Sequence, residues 1–449
     1  MVATVALLAW SGAAMAAPGD HVRVGDATIT PSVMTGLEYH TNVYLEDGYR
    51  DPVVGAPSWV LSPRIKIDLD RPDWKFEAGG GYALKVFIDV APKDGINVPN
   101  LNQYTNFDAN IGLNVLTRSL VGLRLEDRLE VKNSPAETQT AEGNANIVTT
   151  SNDTTGGIVV RPGSALEIGV LGRLGVDNYN VPYALLEGTT DPNLNNRLNY
   201  GPVLDARWRF LPKTSLTSLS SVTWNRWDTH LVSALGPVSG VDYGEFLGKP
   251  DSVIWKSLWG VRGQVTPKIA IQLAAGYGQA YYDEQSVLDE AGSLDPSSTE
   301  LDLVGTENFG TDLTSASQGL LANAQVSWAP VAGQNLIVGY QKDFQDAFFT
   351  NYVLYNYGFF RYEGTFATRF GVSGELTYRL DGFHGEVARH DSNVTAKAAV
   401  SYVLTDYLTT ALAGGWVERA CADAACQGDQ FYYSQYDDFW VQLGMTFTY

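Results

Sequence analysis

The chain has 449 residues, of which 45% are apolar and 18% charged, and its 50 acidic and 30 basic side chains give a formal net charge of −20. That acidic balance lacks the basic footprint of nucleic-acid binding, and the apolar fraction is too high for a disordered chain. Two cysteines exclude a disulfide-rich scaffold.

The N-terminal residues predict a signal peptide and a short segment before the first strand. An apolar stretch from Val2 to Met15 ends in small residues and predicts a signal peptide over residues 1–16. A short periplasmic segment over 17–28 then precedes the first strand. No later run reaches the roughly 18 uncharged apolar residues of a membrane helix, so a chain that spans a membrane must do so as a closed barrel.

Apolar and polar side chains alternate along the next segments. Between Trp59 and Asp70 apolar side chains take the odd positions, and after a turn the alternation resumes from Trp74 to Ile88. Period two predicts β-strands. Both segments exceed the five or six residues typical of globular sheets, and their length suits a tilted membrane-spanning strand of about 9–11 residues.

The same unit recurs to the end of the chain, joined alternately by short turns and by longer polar connections. We place eight short turns at 71–73, 117–119, 162–164, 211–213, 266–268, 330–334, 367–369 and 405–407. We place nine connections, most of them long, at 46–57, 91–102, 133–146, 180–195, 230–251, 284–315, 350–351, 381–390 and 420–435. This count predicts an all-β, antiparallel up-and-down transmembrane barrel of eighteen strands over 29–449, with short periplasmic turns and long extracellular loops.

The last predicted strand alternates from Phe439 to Met445 and ends on the aromatic Tyr449. In this it resembles Gram-negative outer-membrane β-barrel proteins, whose closing strand typically ends in an aromatic residue that the assembly machinery recognises. The resemblance implies a bacterial outer-membrane location, with outer-membrane lipid and lipopolysaccharide as surroundings.

Aromatic side chains fall where the two membrane interfaces are expected, as in the girdles of such barrels. The predicted girdle residues are Trp74, Trp208, Phe210, Trp328, Phe366, Phe370 and Tyr449 beside short turns, and Trp59, Tyr281, Trp416 and Phe439 beside long connections. Asp127 and Lys342 fall on lipid-facing positions. A β-bulge that shifts the phase of the strand would turn either one inward.

An eighteen-stranded barrel is roughly 35 Å across and can hold an aqueous channel. The predicted inward basic residues are Arg64, Lys66, Lys75, Lys85, Arg124, Arg128, Arg207, Arg209, Lys256, Arg262 and Arg361. Two interpretations are open: ion pairs with the interleaved acids, which would stiffen the wall, or a basic stripe that attracts an anionic solute.

Aromatic residues are dense between 344 and 366. Because neighbours in a strand face opposite ways, either Tyr355, Tyr357 and Phe359 or the set Tyr352, Phe360 and Tyr362 must face inward. The candidate residues for stacking on sugar rings are Tyr355, Tyr357 and Phe359.

Two loop features are interpreted more simply. The acidic connection that includes Asp289, Glu290, Asp295, Glu300 and Asp302 is typical of a solvated loop, with an inward constriction or divalent-cation binding as the alternative. Cys421 and Cys426 predict a local disulfide. No metal site, cofactor or enzymatic activity is predicted, since the five histidines form no ligand spacing and no nucleophile elbow is present.

The segment 339–352, Gly-Tyr-x-Lys-Asp-Phe-x-Asp-Ala-Phe-Phe-x-Asn-Tyr, is similar to the β-barrel porins found among exopolysaccharide-secretion components. That resemblance implies an outer-membrane conduit for polysaccharide export that acts with a separate periplasmic export protein. The alternative function is a passive porin for small hydrophilic solutes. A third is an adhesive barrel whose outer loops bind surface polymers.

Overall fold

The computed structural model describes residues 22–43, 53–88, 103–135, 146–180, 196–227, 251–282, 319–346, 352–384, 389–421 and 435–449. In these residues the chain forms nineteen strands. No helix in this part of the chain is long and apolar enough to cross a membrane.

The strands follow the chain in order, and most are 13–15 residues long. Their bounds are β1 Val22–Val24, β2 Ala27–His40, β3 Ala56–Asp70, β4 Trp74–Phe87, β5 Gln103–Val115, β6 Val121–Pro135, β7 Asn146–Val160, β8 Leu166–Asn180, β9 Arg197–Leu211, β10 Thr214–Trp227, β11 Ser252–Thr266, β12 Ile269–Tyr282, β13 Leu320–Trp328, β14 Gln334–Asp346, β15 Tyr352–Phe366, β16 Phe370–His384, β17 Arg389–Thr405, β18 Leu408–Cys421 and β19 Tyr436–Thr448.

Strands β2 to β19 form a closed barrel of eighteen strands, which confirms the predicted fold class. Each strand pairs antiparallel with its neighbours in sequence, and β19 pairs with β2 from Thr448 opposite Ser32 to Trp440 opposite His40. Closure leaves no sheet edge, so every strand has hydrogen-bonding partners on both sides. The short strand β1 pairs only with the start of β2.

The predicted short turns lie between the strands that they were expected to join, all at one end of the barrel, which we call the turn rim; the opposite end is the loop rim. The turn at 367–369 has positive φ at both Ala367 (48°) and Thr368 (61°), and it places three residues between the paired Phe366 and Phe370. Strand register shifts beside three of the turns, at Thr214/Leu216, Gln264/Thr266 and Val403/Thr405.

The outer surface is a band of exposed apolar side chains, as a lipid-facing wall requires. Leu37, Val170, Leu412 and Leu443 are 60%, 57%, 55% and 57% exposed. Aromatic residues ring the turn rim with Trp208, Phe210, Trp328, Phe366, Phe370 and Tyr449, and the loop rim with Trp59, Tyr281 and Phe439, all exposed as predicted.

The bulge that would turn Asp127 or Lys342 inward does not exist. Asp127 pairs in register with Ile111 and Thr154, and Lys342 pairs in register with Ala322 and Asn356. Both therefore stay on the outer face, and the predicted phase change is wrong at both positions.

Phe344 on β14 and Tyr352 on β15 both depart from alternation, because both take lipid-facing positions and both are fully buried. Phe344 packs with Ile254, Ala280 and Leu321, and the Lys256 ammonium lies 4.4 Å from its ring centroid. The neighbouring strand β13 pairs with β14 only as far as Lys342, so β14 has no β13 partner at the level of Phe344 in the described residues, and the ring packs on lumen-facing side chains.

Candidate functional site in the barrel lumen

The lumen is lined by the polar positions of each strand, and all eleven predicted basic side chains lie on it. Eight of them make ion pairs, most of them with another strand. The pairs are Arg64–Asp108, Lys66–Asp68, Lys75–Asp70, Lys85–Glu38, Arg124–Glu167 and –Asp205, Arg128–Glu130, Lys256–Asp343 and Arg361–Glu375. These contacts are the arrangement that the ion-pair interpretation describes.

The other three, Arg207, Arg209 and Arg262, have no acidic partner among the described residues, and all three are exposed. Arg207 and Arg209 alternate on β9 with the outward Trp208 between them, and Arg262 lies two strands away on β11. They line one cavity of about 280 Å³ near the turn rim. The basic stripe is thus reduced to a local cluster.

The remaining lining of this cavity includes several polar side chains beside apolar ones such as Ala270 and Ile271. Gln264, Gln272, Gln325 and Ser327 face it from β11, β12 and β13, and Lys213 faces it from the β9–β10 turn. Three guanidinium groups bind carboxylates and phosphates well, and amide and hydroxyl groups bind hydroxyls. The basic cavity, defined by Arg207, Arg209 and Arg262, therefore has the chemistry of a site for a small hydroxylated anion.

A smaller recess of about 210 Å³ adjoins the basic cavity and shares Arg207 and Arg262 with it. Its other charged groups, Arg124, Glu167 and Asp205, are tied together at 2.9–3.1 Å. These acids are therefore already paired and leave the net charge of the neighbouring cavity positive.

Exposure of the inward side chains falls from the turn rim to the loop rim. Near the turn rim Lys66, Asp70 and Lys75 are 63%, 72% and 52% exposed. Near the loop rim the inward residues are mostly buried, including Ser58, Phe87, Asn199, Asn225, Ile254, Ala280, Leu321, Val353, Tyr355, Asp381 and Asp391. The lumen is therefore open at the turn rim and closely packed toward the loop rim.

Part of this packed region is a belt of buried charge on β16, β17 and β18. Arg419 donates to Asp391 at 2.7 Å, and the two side chains are 9% and 0% exposed. Arg379 donates to Asp381 at 2.6 Å, and the Asn393 amide donates to the same carboxylate at 3.1 Å. Buried, hydrogen-bonded charges of this kind hold fixed positions, because breaking one pair leaves the other charge uncompensated.

A second buried cluster lies where the barrel closes. His40 Nδ1 lies 2.6 Å from Asp438 across the β19–β2 seam, and its Nε2 lies 3.1 Å from Glu38. Lys85 lies 2.8 Å from Glu38. Asp438 also accepts from the backbone N–H of Thr41, so this cluster extends the seam beyond the last backbone pair.

The predicted aromatic set Tyr355, Tyr357 and Phe359 does face inward. Tyr355 is fully buried, however, with the Arg379 guanidinium 4.6 Å from its ring centroid and its hydroxyl close to Gln341 and Asp343. Tyr357 and Phe359 are half-buried and pack on each other at 5.7 Å. Only these two could meet a solute.

The loop predictions fall largely outside the described residues. Asp289, Glu290, Asp295, Glu300 and Asp302 lie there, as does Cys426, while Cys421 at the end of β18 is disulfide-bonded. In the described part of the chain no group of three or more His, Cys, Asp or Glu side chains could hold a metal ion.

No family model and no curated protein matches the chain. Among solved structures it is similar to OpdQ of Pseudomonas aeruginosa, at 10% identity over 94% of this chain and 98% of that one, with a TM-score of 0.43. It is also similar to OccAB3 of Acinetobacter baumannii (8% identity, 95% and 100% coverage, TM-score 0.44) and to a BenF-like porin from Pseudomonas fluorescens (9%, 94% and 99%, 0.44). These likenesses are remote.

The barrel itself fixes the compartment. Eighteen strands close completely, the outer wall is apolar between two aromatic rings, and the lumen is polar. This combination is that of a transmembrane β-barrel. The protein is a bacterial outer-membrane β-barrel.

Proposed function

We propose that the protein is a passive outer-membrane channel for small hydrophilic solutes and that it prefers anions. The observation that carries this proposal is the basic cavity. Three arginines lie together there without an acidic partner in the described part of the chain, while the other predicted lumen cations are paired. Unpaired like charges lining a water-filled passage raise the local concentration of the opposite ion.

The packed loop rim sets the size of the solute. Side chains such as Tyr355, Asp391 and Arg419 are held by hydrogen bonds and ion pairs and occupy the lumen at that level. A polymer strand would have to displace these groups and leave charges uncompensated. Small solutes need only the space between them, so the packing favours a channel for small molecules.

Paired uptake measurements test the preference for anions. Proteoliposomes should take up gluconate several-fold faster than glucitol, a neutral polyol of nearly the same size, because the arginines attract the carboxylate. The triple variant R207Q/R209Q/R262Q should take up both at similar rates.

A matched control is a double variant that removes one cation and one anion together, so the net charge of the lumen does not change. R361Q/E375Q removes a cation that is already paired at 2.6 Å, and it should leave the gluconate preference as it is. Equal uptake of the two solutes by the wild type, or a preference that survives in the triple variant, would contradict the proposal.

Export of a polysaccharide with a periplasmic export protein is the second candidate. It is favoured by Tyr357 and Phe359, which present half-buried rings to the lumen. Aromatic rings stack on sugars at wet interfaces. Loss of surface polysaccharide in a deletion strain, restored by the wild type but not by Y357A/F359A, would support export over small-solute diffusion.

A further inference from the structure

The lipid-facing wall carries a polar cluster at mid-depth, which we call the acidic face. Asp127 on β6 accepts from Thr154 (2.5 Å) and Asn152 (3.2 Å) on β7, through the same carboxylate oxygen. Asp127 lies six residues from Val121, where β6 begins at the turn rim, and so near the middle of a fifteen-residue strand. Ionisable groups at this depth are costly against lipid and usually mark contact with protein.

Beside this cluster the outer surface has a shallow depression. Gly156 and Gly172 are cross-strand partners on the outer face of β7 and β8, between larger neighbours such as Val170 and Leu174. A Cβ added at Gly172 would find nothing nearer than the Gly156 carbonyl oxygen, at 3.9 Å. The acidic face thus offers a shallow hole next to a carboxylate.

A protruding side chain that could fill such a depression lies elsewhere on the same barrel, on β10 and β11. We call this surface the tryptophan face. Trp259 is 66% exposed and lies seven residues from Thr266, where β11 ends at the turn rim. Tryptophan favours the headgroup level rather than mid-membrane. Its indole N–H donates to Ser257 (3.0 Å), which is bonded to Ser220 (2.8 Å).

The two faces lie at the same depth, because Asp127, Gly172 and Trp259 are six, six and seven residues from the turn ends of strands of equal length. They are also complementary: one presents a carboxylate and a hole, and the other a large exposed ring beside two serine hydroxyls. Exposed mid-membrane tryptophan and small-residue surfaces are typical of buried protein contacts.

The angle between the two faces around the barrel axis indicates how many copies of the chain can form a closed ring. With eighteen strands each strand spans about 20° of arc, and the faces, centred on β7 and between β10 and β11, are roughly 70° apart. In a closed ring of three barrels each subunit meets its neighbours in directions about 60° apart, against about 90° for four. We propose that three copies of this chain form a ring in which the tryptophan face of each packs into the acidic face of the next.

The native mass of the purified protein in detergent or lipid nanodiscs tests the ring. Wild type should have three times the chain mass. G172L fills the hole, and its Cβ meets no atom of its own barrel nearer than 3.9 Å. W259A removes the exposed ring. Both substitutions should shift the mass to one chain while the unheated protein keeps the gel mobility of a folded barrel.

Gly358 provides the matched control. It also faces outward with nothing nearer than 4.0 Å to an added Cβ, but on β15, on the far side of the barrel. G358L should therefore keep the three-copy mass. A wild-type mass of one chain, or three copies retained in G172L and W259A, would overturn the proposal.

Cysteine cross-linking tests which faces meet. With cysteine at both 259 and 172, oxidation should give covalent dimers and trimers and no larger species, because a ring of three is closed. Cross-linking that extends beyond trimers, or that is absent although the native mass is three chains, would overturn the pairing of these two faces.

Discussion

At the scale of single residues, burial decides how much each ion pair contributes. Arg419 and Asp391 form a pair that is almost fully buried, whereas Lys66 and Asp68 are 63% and 33% exposed at 2.9 Å. Removing one partner of a buried pair costs about 3–5 kcal/mol, and an exposed pair contributes about 0–1 kcal/mol. The two pairs should therefore respond very differently to the same substitution.

We predict that R419M lowers the free energy of unfolding by about 3 kcal/mol or more, because it leaves the Asp391 carboxylate buried without its guanidinium. K66M should change it by less than about 1 kcal/mol. Urea titration of the barrel refolded in lipid vesicles measures both. Equal effects of the two substitutions would show that the belt at the loop rim is not packed as described.

Sequence alone predicts which residues face inward, because alternation is local, but not which charges remain free. Arg64 on β3 pairs with Asp108 on β5, and Arg124 on β6 pairs with Asp205 on β9. Which side chains come within ion-pair distance across strands depends on the tilt and register of those strands. Arg207 and Arg262 look no different in the sequence. Their lack of an acidic partner in the described residues emerges only when the strands are brought together.

At the scale of elements, backbone strain lies in two hairpin turns, one with Leu116 and one with Ala367 and Thr368 at positive φ. Ala367 and Thr368 both adopt left-handed φ, a conformation that costs an L-residue roughly 1–2 kcal/mol and is least suited to a β-branched side chain. We predict that T368G raises the free energy of unfolding by about 1 kcal/mol in the same urea titration. T409G, in the regular strand β18, should lower it, and a loss of stability in T368G would contradict the assigned turn.

Strand β13 is shorter than its neighbours, and the sequence pattern did not predict this. It spans nine residues, and Phe344 of β14 packs at the level that β13 does not reach. Alternation predicts Phe344 to face lipid, and packing against Ile254 and Leu321 overrides that local signal. The long connection before β13 gave no sign of where the strand would begin.

We predict that F344A lowers the free energy of unfolding by about 3–5 kcal/mol, since a fully buried ring leaves a cavity. Phe360 on β15 is 41% exposed on the outer wall, and F360A should cost clearly less because lipid can fill the space. Unfolding midpoints of the two variants, measured side by side, separate a packed lumen residue from a lipid-facing one. A smaller loss in F344A than in F360A would place Phe344 outside.

At the scale of the whole molecule, eighteen closed strands give a cylinder with two different ends. The turn rim opens on a basic cavity, and the loop rim is packed with paired charges and buried rings. Strand count, closure and the apolar outer wall could be predicted from alternation and turn spacing. The asymmetry between the two ends could not, because it depends on which inward side chains meet across the lumen.

The reversal potential of single channels in a planar bilayer under a KCl gradient tests the central claim most directly. A cluster of Arg207, Arg209 and Arg262 without an acidic partner among the described residues predicts small unitary currents that reverse on the chloride side. R207Q/R209Q/R262Q should move the reversal potential toward zero. Reversal on the potassium side in the wild type, or large steady currents, would contradict it.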